Sequence, residues 1–472
     1  MESRSTVLLS PEPPSFWSAV SDSLRGKQHD YTTGNLGRAI LLLAVPMVLE
    51  MAMESLFGLV DVFFVAHLGS NATAAVGITE SIFTLVFAAA LGLGMATTAT
   101  VARRVGEKNR EGAAVAAVQS IALGVVISVI VGILGAWNAP QLLHAMGATP
   151  AILETGTRYT RIMLGGSGTV FLLFLINAIF RGAGDPAIAM RVLWIANAIN
   201  IVLDPCLILG LGPFPQLGVT GAAVSTTIGR SIGVMLQLWY LFGKGNTISI
   251  RRSQLVLDLV VMKRLVRTAI NGMFQYLVAT ASWLALLRLV ARFGADAVAG
   301  YTIAIRIIVF ALLPSWGMSN AAATLVGQNL GAKRPDRAEQ AVWRTGLYNM
   351  AFLGSVAVVF VTFAQLIVTQ FTEVAAVQTV AVDCLRFVSY GYVFYAWGMV
   401  MVQAFNGAGD TLTPTYINIG CYWLWQIPLA YFLSSTAMGT RGIFVAIVVS
   451  ESTLAVVGML AFRRGGWKNQ KV

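Results

Sequence analysis

Long apolar stretches, each ended by a short polar or glycine-rich interruption, recur from residue 40 to residue 462. A helix needs about 20 predominantly apolar residues to cross the hydrocarbon of a bilayer. By that measure the pattern predicts spans near 39–66, 77–103, 113–137, 157–181, 187–211, 219–242, 266–293, 299–328, 341–371, 380–405, 412–435 and 441–462. The expected fold is an all-α membrane protein of twelve transmembrane helices. The one long polar and basic interruption, 243–263, falls at the midpoint of the chain and reads as a linker.

Internal repeats support a division there. Phe180-Arg-Gly-Ala-Gly-Asp185 recurs as Phe405-Asn-Gly-Ala-Gly-Asp410, an offset of 225 residues. At the same offset Val101-Ala-Arg-Arg-Val-Gly106 aligns with Val326-Gly-Gln-Asn-Leu-Gly331, and Gly69 with Gly294. Pro205 with Pro428, and Gly218 and Gly221 with Gly439 and Gly442, fit after two small deletions. An even-numbered unit of six spans, duplicated, makes two pseudo-symmetric lobes around a central cavity. The predicted organisation is an N-terminal tail (1–36), an N-lobe (37–242), a linker (243–264), a C-lobe (265–463) and a C-terminal tail (464–472). Within the first tail, 17–24 reads either as a short interfacial helix or as disordered chain.

Composition agrees with this class. Hydrophobic residues make up 57% and charged residues 11% of the chain, where soluble domains carry about a quarter charged residues. The net charge of +11 would point to nucleic acid in a soluble protein. Here about 24 of the 32 Lys and Arg residues fall in the tails and in alternate loops, which is the signature of orientation in a membrane. The expectation is a multi-pass protein of the plasma (inner) membrane, both termini cytoplasmic, monomeric, with lipid and a small-molecule substrate as partners and no nucleic acid. The first apolar span starts too far in, and is too long, for a cleavable signal peptide. Cys206, Cys384 and Cys421 lie in apolar spans without ligand spacing and read as packing residues.

Candidate chemistry is confined to charges inside spans. Each costs at least roughly 2.5–3.5 kcal/mol to insert and needs a partner or a wet cavity. Glu50, Glu54 and Asp61 of the first span are spaced 4 and 7 residues apart, within roughly 40° on one helix face. In the fifth span Asn200 and Asp204 share a face with Asn197, and Pro205 follows at once, predicting a kink. At 1.5 Å per residue, Asp61, Asp204 and Thr226 lie about 8–10 Å below the outer ends of their spans. Two carboxylates, an amide and a hydroxyl at one level form an oxygen-rich site for a hard monovalent cation or for shared protons. The repeat places Leu286, Ile427 and Ile447 at the matching positions of the second half, so ion coupling is assigned to the N-lobe. Arg288 and Arg306 read as structural or snorkelling. Glu80 and Glu451 stay open between structural contact and function. The Gly-Ala-Gly-Asp loops lack a preceding strand and Walker spacing and read as tight turns. His29, His67 and His144 are isolated, and neither a nucleophile–base arrangement nor an ATPase signature is present. The expectation is therefore not an enzyme, with no cofactor or metal and with H⁺ or Na⁺ as coupling ion.

Over residues 35–462 the chain resembles the multidrug and toxic compound extrusion (MATE) family. The resemblance rests on Leu56-Phe-Gly-Leu-Val-Asp-Val-Phe-Phe-Val-Ala-His-Leu-Gly69, Phe180-Arg-Gly-Ala-Gly-Asp185, Asn200-Ile-Val-Leu-Asp-Pro205, Gly218-Val-Thr-Gly-Ala-Ala223 and Val326-Gly-Gln-Asn-Leu-Gly331, in that order. It implies secondary antiport, in which proton or sodium entry drives efflux of amphipathic, often cationic compounds by rocking of two lobes. It also implies that Asp61, Asn200, Asp204 and Thr226 form the ion site of the N-lobe, DNA-damage-inducible-type branch. The branch that relies on a glutamate in the seventh span is not matched, since residues 275–279 hold no acid. Glu54 departs from the glutamine common in the family. With Glu50 it forms a candidate proton relay or attractor of cationic substrate, against a salt bridge to an arginine such as Arg230. A flippase of lipid-linked substrates from the same superfamily, and a channel or receptor that carries nothing, are the alternatives.

Overall fold

The computed structural model describes residues 16–26, 29–243 and 247–470, so residues 1–15 and 27–28 of the expected N-terminal tail lie outside the described residues. In hydrocarbon every backbone N–H and C=O must be bonded within its own segment, so apolar runs of this length fold as helices. Among the described residues there are helices and no strand. The first half comprises α1 (Phe16–Arg25), α2 (Leu36–Ala66), α3 (Ser70–Gly106), α4 (Arg110–Trp137), α5 (Ala139–Ala145), α6 (Pro150–Gly165), α7 (Ser167–Ala183), α8 (Pro186–Leu209) and α9 (Val219–Phe242). The second comprises α10 (Leu259–Val290), α11 (Ala295–Gly331), α12 (Pro335–Thr369), α13 (Ala375–Tyr390), α14 (Tyr392–Ala408), α15 (Leu412–Asn418), α16 (Ile427–Ser434) and α17 (Thr440–Arg463).

Eight of these helices are long and apolar enough to cross a membrane alone, and α6 with α7 adds a ninth crossing as a pair bent by 41°. The remaining three crossings are α9, the pair α13–α14 broken at Gly391, and α15–α16 joined through a π-helical stretch, Ile419–Gln426. Six crossings form each lobe. The repeated Gly-Ala-Gly-Asp segments end α7 and α14 in the same way. Gly184 and Gly409 both take φ 87, and the next amides, of Asp185 and Asp410, donate back to Phe180 O and Phe405 O at 2.9 and 3.0 Å. This is the left-handed helix stop for which glycine is suited.

Several helices begin before their apolar runs: α3 at Ser70, α10 at Leu259 and α12 at Pro335. Hydropathy marks only the part inside hydrocarbon, and the helices run on past it: α12 has Pro335 in its first turn and α10 starts on a side-chain cap. Asp258 accepts from Val260 N and Val261 N at 2.9 and 3.2 Å. The linker therefore ends before Leu259 and not at residue 264. It is held to α4, where Gln119 bonds Val256 O and Asp258 N at 2.7 and 3.0 Å. The C-terminal tail is packed rather than free: Trp467 is buried and stacks on Phe462 with ring centroids 4.5 Å apart.

Most of the basic residues share one face of the bundle, and there the lobes close on each other. A Cβ on Gly317 of α11 would lie 2.4 Å from Met47 O of α2, and one on Gly92 of α3 would lie 2.5 Å from Ala269 O of α10. Nearer that face, Gly331 lies against Arg103 O and Gly106 against Gln328 O. Gln328 donates to Gly182 O at 3.0 Å and Thr324 to Arg181 O at 3.1 Å, again between lobes. Residues 29–35 run across this face as a strap. Tyr31 donates to Gly184 O (3.1 Å) and Lys108 to Asp30 (2.7 Å) in the N-lobe. In the C-lobe Arg334 donates to Thr32 O (2.8 Å), and Arg337 to Thr33 O (2.8 Å) and Gly34 O (3.0 Å). In the opposite half Leu56 and Leu59 of α2 and Val309 and Phe310 of α11 are exposed. A Cβ on Gly58 of α2 would meet nothing within 4 Å, so the close backbone approach of α2 and α11 does not extend to that side.

Two outcomes are expected. Gly317→Val forces α2 and α11 apart, so a cysteine placed at the buried Ala321 becomes reactive to an impermeant maleimide applied from the basic face, which it is not in the parent. Partial burial raises the Asp30 carboxyl, but hydrogen bonds from Lys108 and Thr32 outweigh it and hold the group at about 2, below its usual 3.8. Its contribution to the strap is thus complete above 3.8 and lost as pH falls to about 2. A spin label at Thr33 should gain mobility only in that acid range, and at every pH after Lys108→Ala.

Candidate functional site

The N-lobe's polar residues converge where α2, α8 and α9 meet. Asp204 is fully buried on α8 and accepts a hydrogen bond from Ser225 of α9. With its amide oriented to satisfy both ends, Asn200 donates to Asp204 Oδ2 at 2.9 Å. Its carbonyl then accepts from Thr226 Oγ1 at 3.1 Å and Thr226 N at 2.9 Å. The i,i+4 spacing of Asn200 and Asp204 makes this possible, because both present to the same stretch of α9. Pro205 lies inside α8, whose helix runs on to Leu209.

Asp61 reaches this cluster from α2 and is half-buried. It lines a chamber of about 170 Å³ with Thr79, Glu80, Tyr159, Thr226 and Arg230. Thr226 thus belongs to both the chamber wall and the Asp204–Asn200 network. No hydrogen bond joins Asp61 directly to Asp204 or Asn200 among the described residues. Three of the four predicted residues form one bonded network, and the fourth faces it across the chamber.

The two glutamates of α2 are differently placed. Glu50 is fully buried, 2.8 Å from Arg181 Nη1 and 3.0 Å from Asn177 Nδ2 of α7. Gln237 of α9 donates in turn to Asn177 Oδ1 at 2.6 Å. Glu54 pairs with Arg230 at 3.4 Å and accepts from Asn197 at 3.3 Å. Arg230 also lies over the rings of Phe57 and Phe174, 5.3 and 5.8 Å from their centroids. Of the two readings of Glu54, the geometry favours the salt bridge. Glu54 and Phe87 line both the Asp61 chamber and a central cavity of about 250 Å³ between the lobes. That cavity is walled from the C-lobe by Tyr276, Trp316, Asn320 and Gln403.

A twelve-crossing duplicated bundle with this N-lobe cluster can be set against known proteins. The MatE family model matches residues 46–206 and 273–432, once in each lobe. The chain belongs to the MatE family. It is 25% identical over 436 residues to a probable multidrug resistance protein NorM of Thermotoga maritima, covering 92% of this chain and 94% of that one. It is 24% identical over 443 residues to a probable multidrug resistance protein YoeA of Bacillus subtilis, covering 92% and 95%. Among solved structures it is similar to one described as the outward-facing conformation of a multidrug resistance MATE family transporter of the MOP superfamily. The TM-score there is 0.87 at 28% identity, covering 93% of this chain and 98% of that one. This MatE protein is accordingly an integral membrane transporter rather than an enzyme.

Sequence reasoning left parts of the MatE N-lobe unread. Arg181 counts by position as a loop residue, yet its side chain turns inward to Glu50 and lines the central cavity. Ser225 carried no signal beyond adjacency to Thr226. Arg230 was visible as a charge inside a span, four residues after Thr226, but its partner was not fixed by spacing.

Breaking a buried ion pair from one side leaves an uncompensated charge and costs about 3–5 kcal/mol. Arg181→Met should therefore lower the melting temperature of the purified transporter sharply. Glu50→Gln with Arg181→Met should recover most of the loss.

Proposed function

We propose that this transporter is a secondary antiporter that exports small amphipathic or cationic compounds in exchange for H⁺ or Na⁺. The observation that carries the reading is the Asp204–Asn200–Thr226 network beside Asp61. Asp61 and Thr226 line a chamber that meets the central cavity at Glu54 and Phe87, and Asp204 stands behind that wall, joined to Thr226 through Asn200. Carboxylates of this kind bind a proton or a small cation, and their charge changes when they do. Ion binding at Asp61 and Asp204 favours the conformation that releases substrate, and ion loss resets the carrier, which is a shift of population by differential affinity. Asp61, Asn200, Asp204 and Thr226 are the coupling residues. Glu50 and Glu54 act through their arginines, as charge pairs that fix the α2 face beside the substrate path.

The protein sits in the plasma membrane as a monomer, its basic face and both termini cytoplasmic, in keeping with the positive-inside bias. The form described, closed at the basic face, is then outward-facing. Names of relatives that refer to multidrug resistance agree with export. A flippase of pyrophosphate-bearing lipids would need free cations in the cavity. Arg181 and Arg230 are each tied to a glutamate, so that reading gains no support.

The test is dye efflux from energised cells or inverted vesicles with proton and sodium gradients imposed separately. Asp61→Asn and Asp204→Asn should each abolish gradient-driven efflux while the protein still inserts, and the gradient that drives the parent names the ion. Normal pumping by both variants would overturn the assignment.

A further inference from the structure

The C-lobe contains a second chamber that the coupling scheme does not use. It measures about 330 Å³ and shares Tyr276, Leu313, Trp316 and Gln403 with the central cavity, from which it opens. Trp283, Leu312 and Met399 give it an apolar, partly aromatic wall. At its inner end lies Glu451 of α17, 3% exposed, with the hydroxyls of Tyr395 and Tyr422 directed at its carboxyl group. Two buried amides complete the lining, Gln275 at 4% and Asn418 at 5% exposed. Gln275 Oε1 and Asn418 Oδ1 have no hydrogen-bond partner. No Lys or Arg lines the chamber, and no salt bridge reaches Glu451 among the described residues.

Pseudo-symmetry sharpens the contrast with the N-lobe. Helices α9 and α17 both have 24 residues and follow glycines of matching conformation, Gly218 (φ 56, ψ −136) and Gly439 (φ 54, ψ −130). Counted from those glycines, Arg230 and Glu451 occupy the same position. The N-lobe copy is a cation paired with Glu54. The C-lobe copy is an acid with no cation of its own.

We propose that this chamber is a subsite for the protonated amine of an exported compound, one that carries N–H donors, with the compound's aromatic or aliphatic body against Trp283 and Trp316. A buried acceptor without a donor is unfavourable, and here two amide oxygens without donors lie beside a carboxyl group met only by neutral hydroxyls. An ammonium of the R–NH₃⁺ kind offers three donors. A quaternary ammonium offers charge to the aromatic wall but leaves both amide oxygens unbonded. A bare alkali ion leaves the apolar wall and most of the volume unused. The proposal names the substrate class of the export reading above and rests on it for the word "exported"; the binding it asserts is measurable without transport.

The experiment uses the full chain in lipid nanodiscs with no gradient, in potassium buffer at neutral pH. Binding of 1-naphthylmethylamine and of its N,N,N-trimethyl analogue is measured by calorimetry. The parent should bind the primary amine about tenfold or more tightly than the trimethyl compound, because a site built to donate or accept hydrogen bonds rejects the analogue that cannot return them. Glu451→Gln should weaken amine binding about tenfold, a loss near 1.4 kcal/mol. Gln275→Leu and Asn418→Leu should each weaken the amine and leave the trimethyl compound unchanged. These two variants carry the test if Glu451→Gln does not fold. Equal binding of the two compounds by the parent, or amine binding untouched by all three substitutions, overturns the proposal. So does loss of sodium binding, titrated alone, in Glu451→Gln with the amine retained. If the binding pattern holds while the parent shows no gradient-driven efflux, the subsite stands and the antiport reading falls. If efflux is gradient-driven and the pattern fails, the reverse is true.

Discussion

A charge inside the bilayer must find a partner or a polar cavity, and the arrangement of the N-lobe follows from how the acids of α2 meet that demand. Glu50, deepest in protein, takes Arg181 and an amide from α7. Glu54 takes Arg230 from α9 and Asn197 from α8. Asp61 faces the chamber instead, beside a carboxyl group on α8 that is held by neutral donors, Ser225 and Asn200. Three helices are thereby rotated to face one stripe of α2. The stripe carries a gradient of satisfaction, fixed charge pairs toward the basic face and an adaptable carboxyl group toward the opposite side. An ion pair with strong mutual attraction is a poor switch, whereas a carboxyl group in a chamber can gain and lose a proton or cation without dismantling the fold.

The second organising feature is closeness of backbone between lobes. Gly317 against Met47 O and Gly92 against Ala269 O let α2 and α11, and α3 and α10, approach without side chains between them. Small residues serve helix contacts within membranes because packing and hydrogen bonding, not the hydrophobic effect, must hold such helices together. Ile40, Leu43 and Met47 of α2 add an apolar contact with Ala321 and Leu325 of α11, and polar bonds such as Gln328 to Gly182 O and the strap over 29–35 add discrete, separable links. A closure made this way is suited to opening as a unit. The same duplicated frame carries opposite charge at Arg230 and Glu451, so the two lobes share a path for the chain but not a chemistry.

Much of this was legible from the chain alone, and the reasons are local. Hydrocarbon thickness fixes the length of an apolar run, so the crossings and their order could be counted. The α-helical period fixes which residues share a face, so Glu50, Glu54 and Asp61 could be placed on one stripe and Asn200 with Asp204 on another. The repeat offset identified the duplicated halves, and the asymmetry of their polar residues with them. Helix starts were read less well at Ser70, Leu259 and Pro335, since capping and amphipathic ends extend helices beyond the apolar signal.

What the tertiary structure alone decided is which face meets which. Arg181 is 131 residues from Glu50 and Arg230 is 176 from Glu54, and nothing in their spacing selects one acid over another. Glu451 looked like any isolated buried acid until α10, α14 and the π-helical stretch brought Gln275, Tyr395 and Tyr422 around it. Spacing along a helix sets angles about its own axis. The rotation of one helix against the next is set by the packing of all of them, and it is that rotation which turned separate polar residues into pairs and chambers.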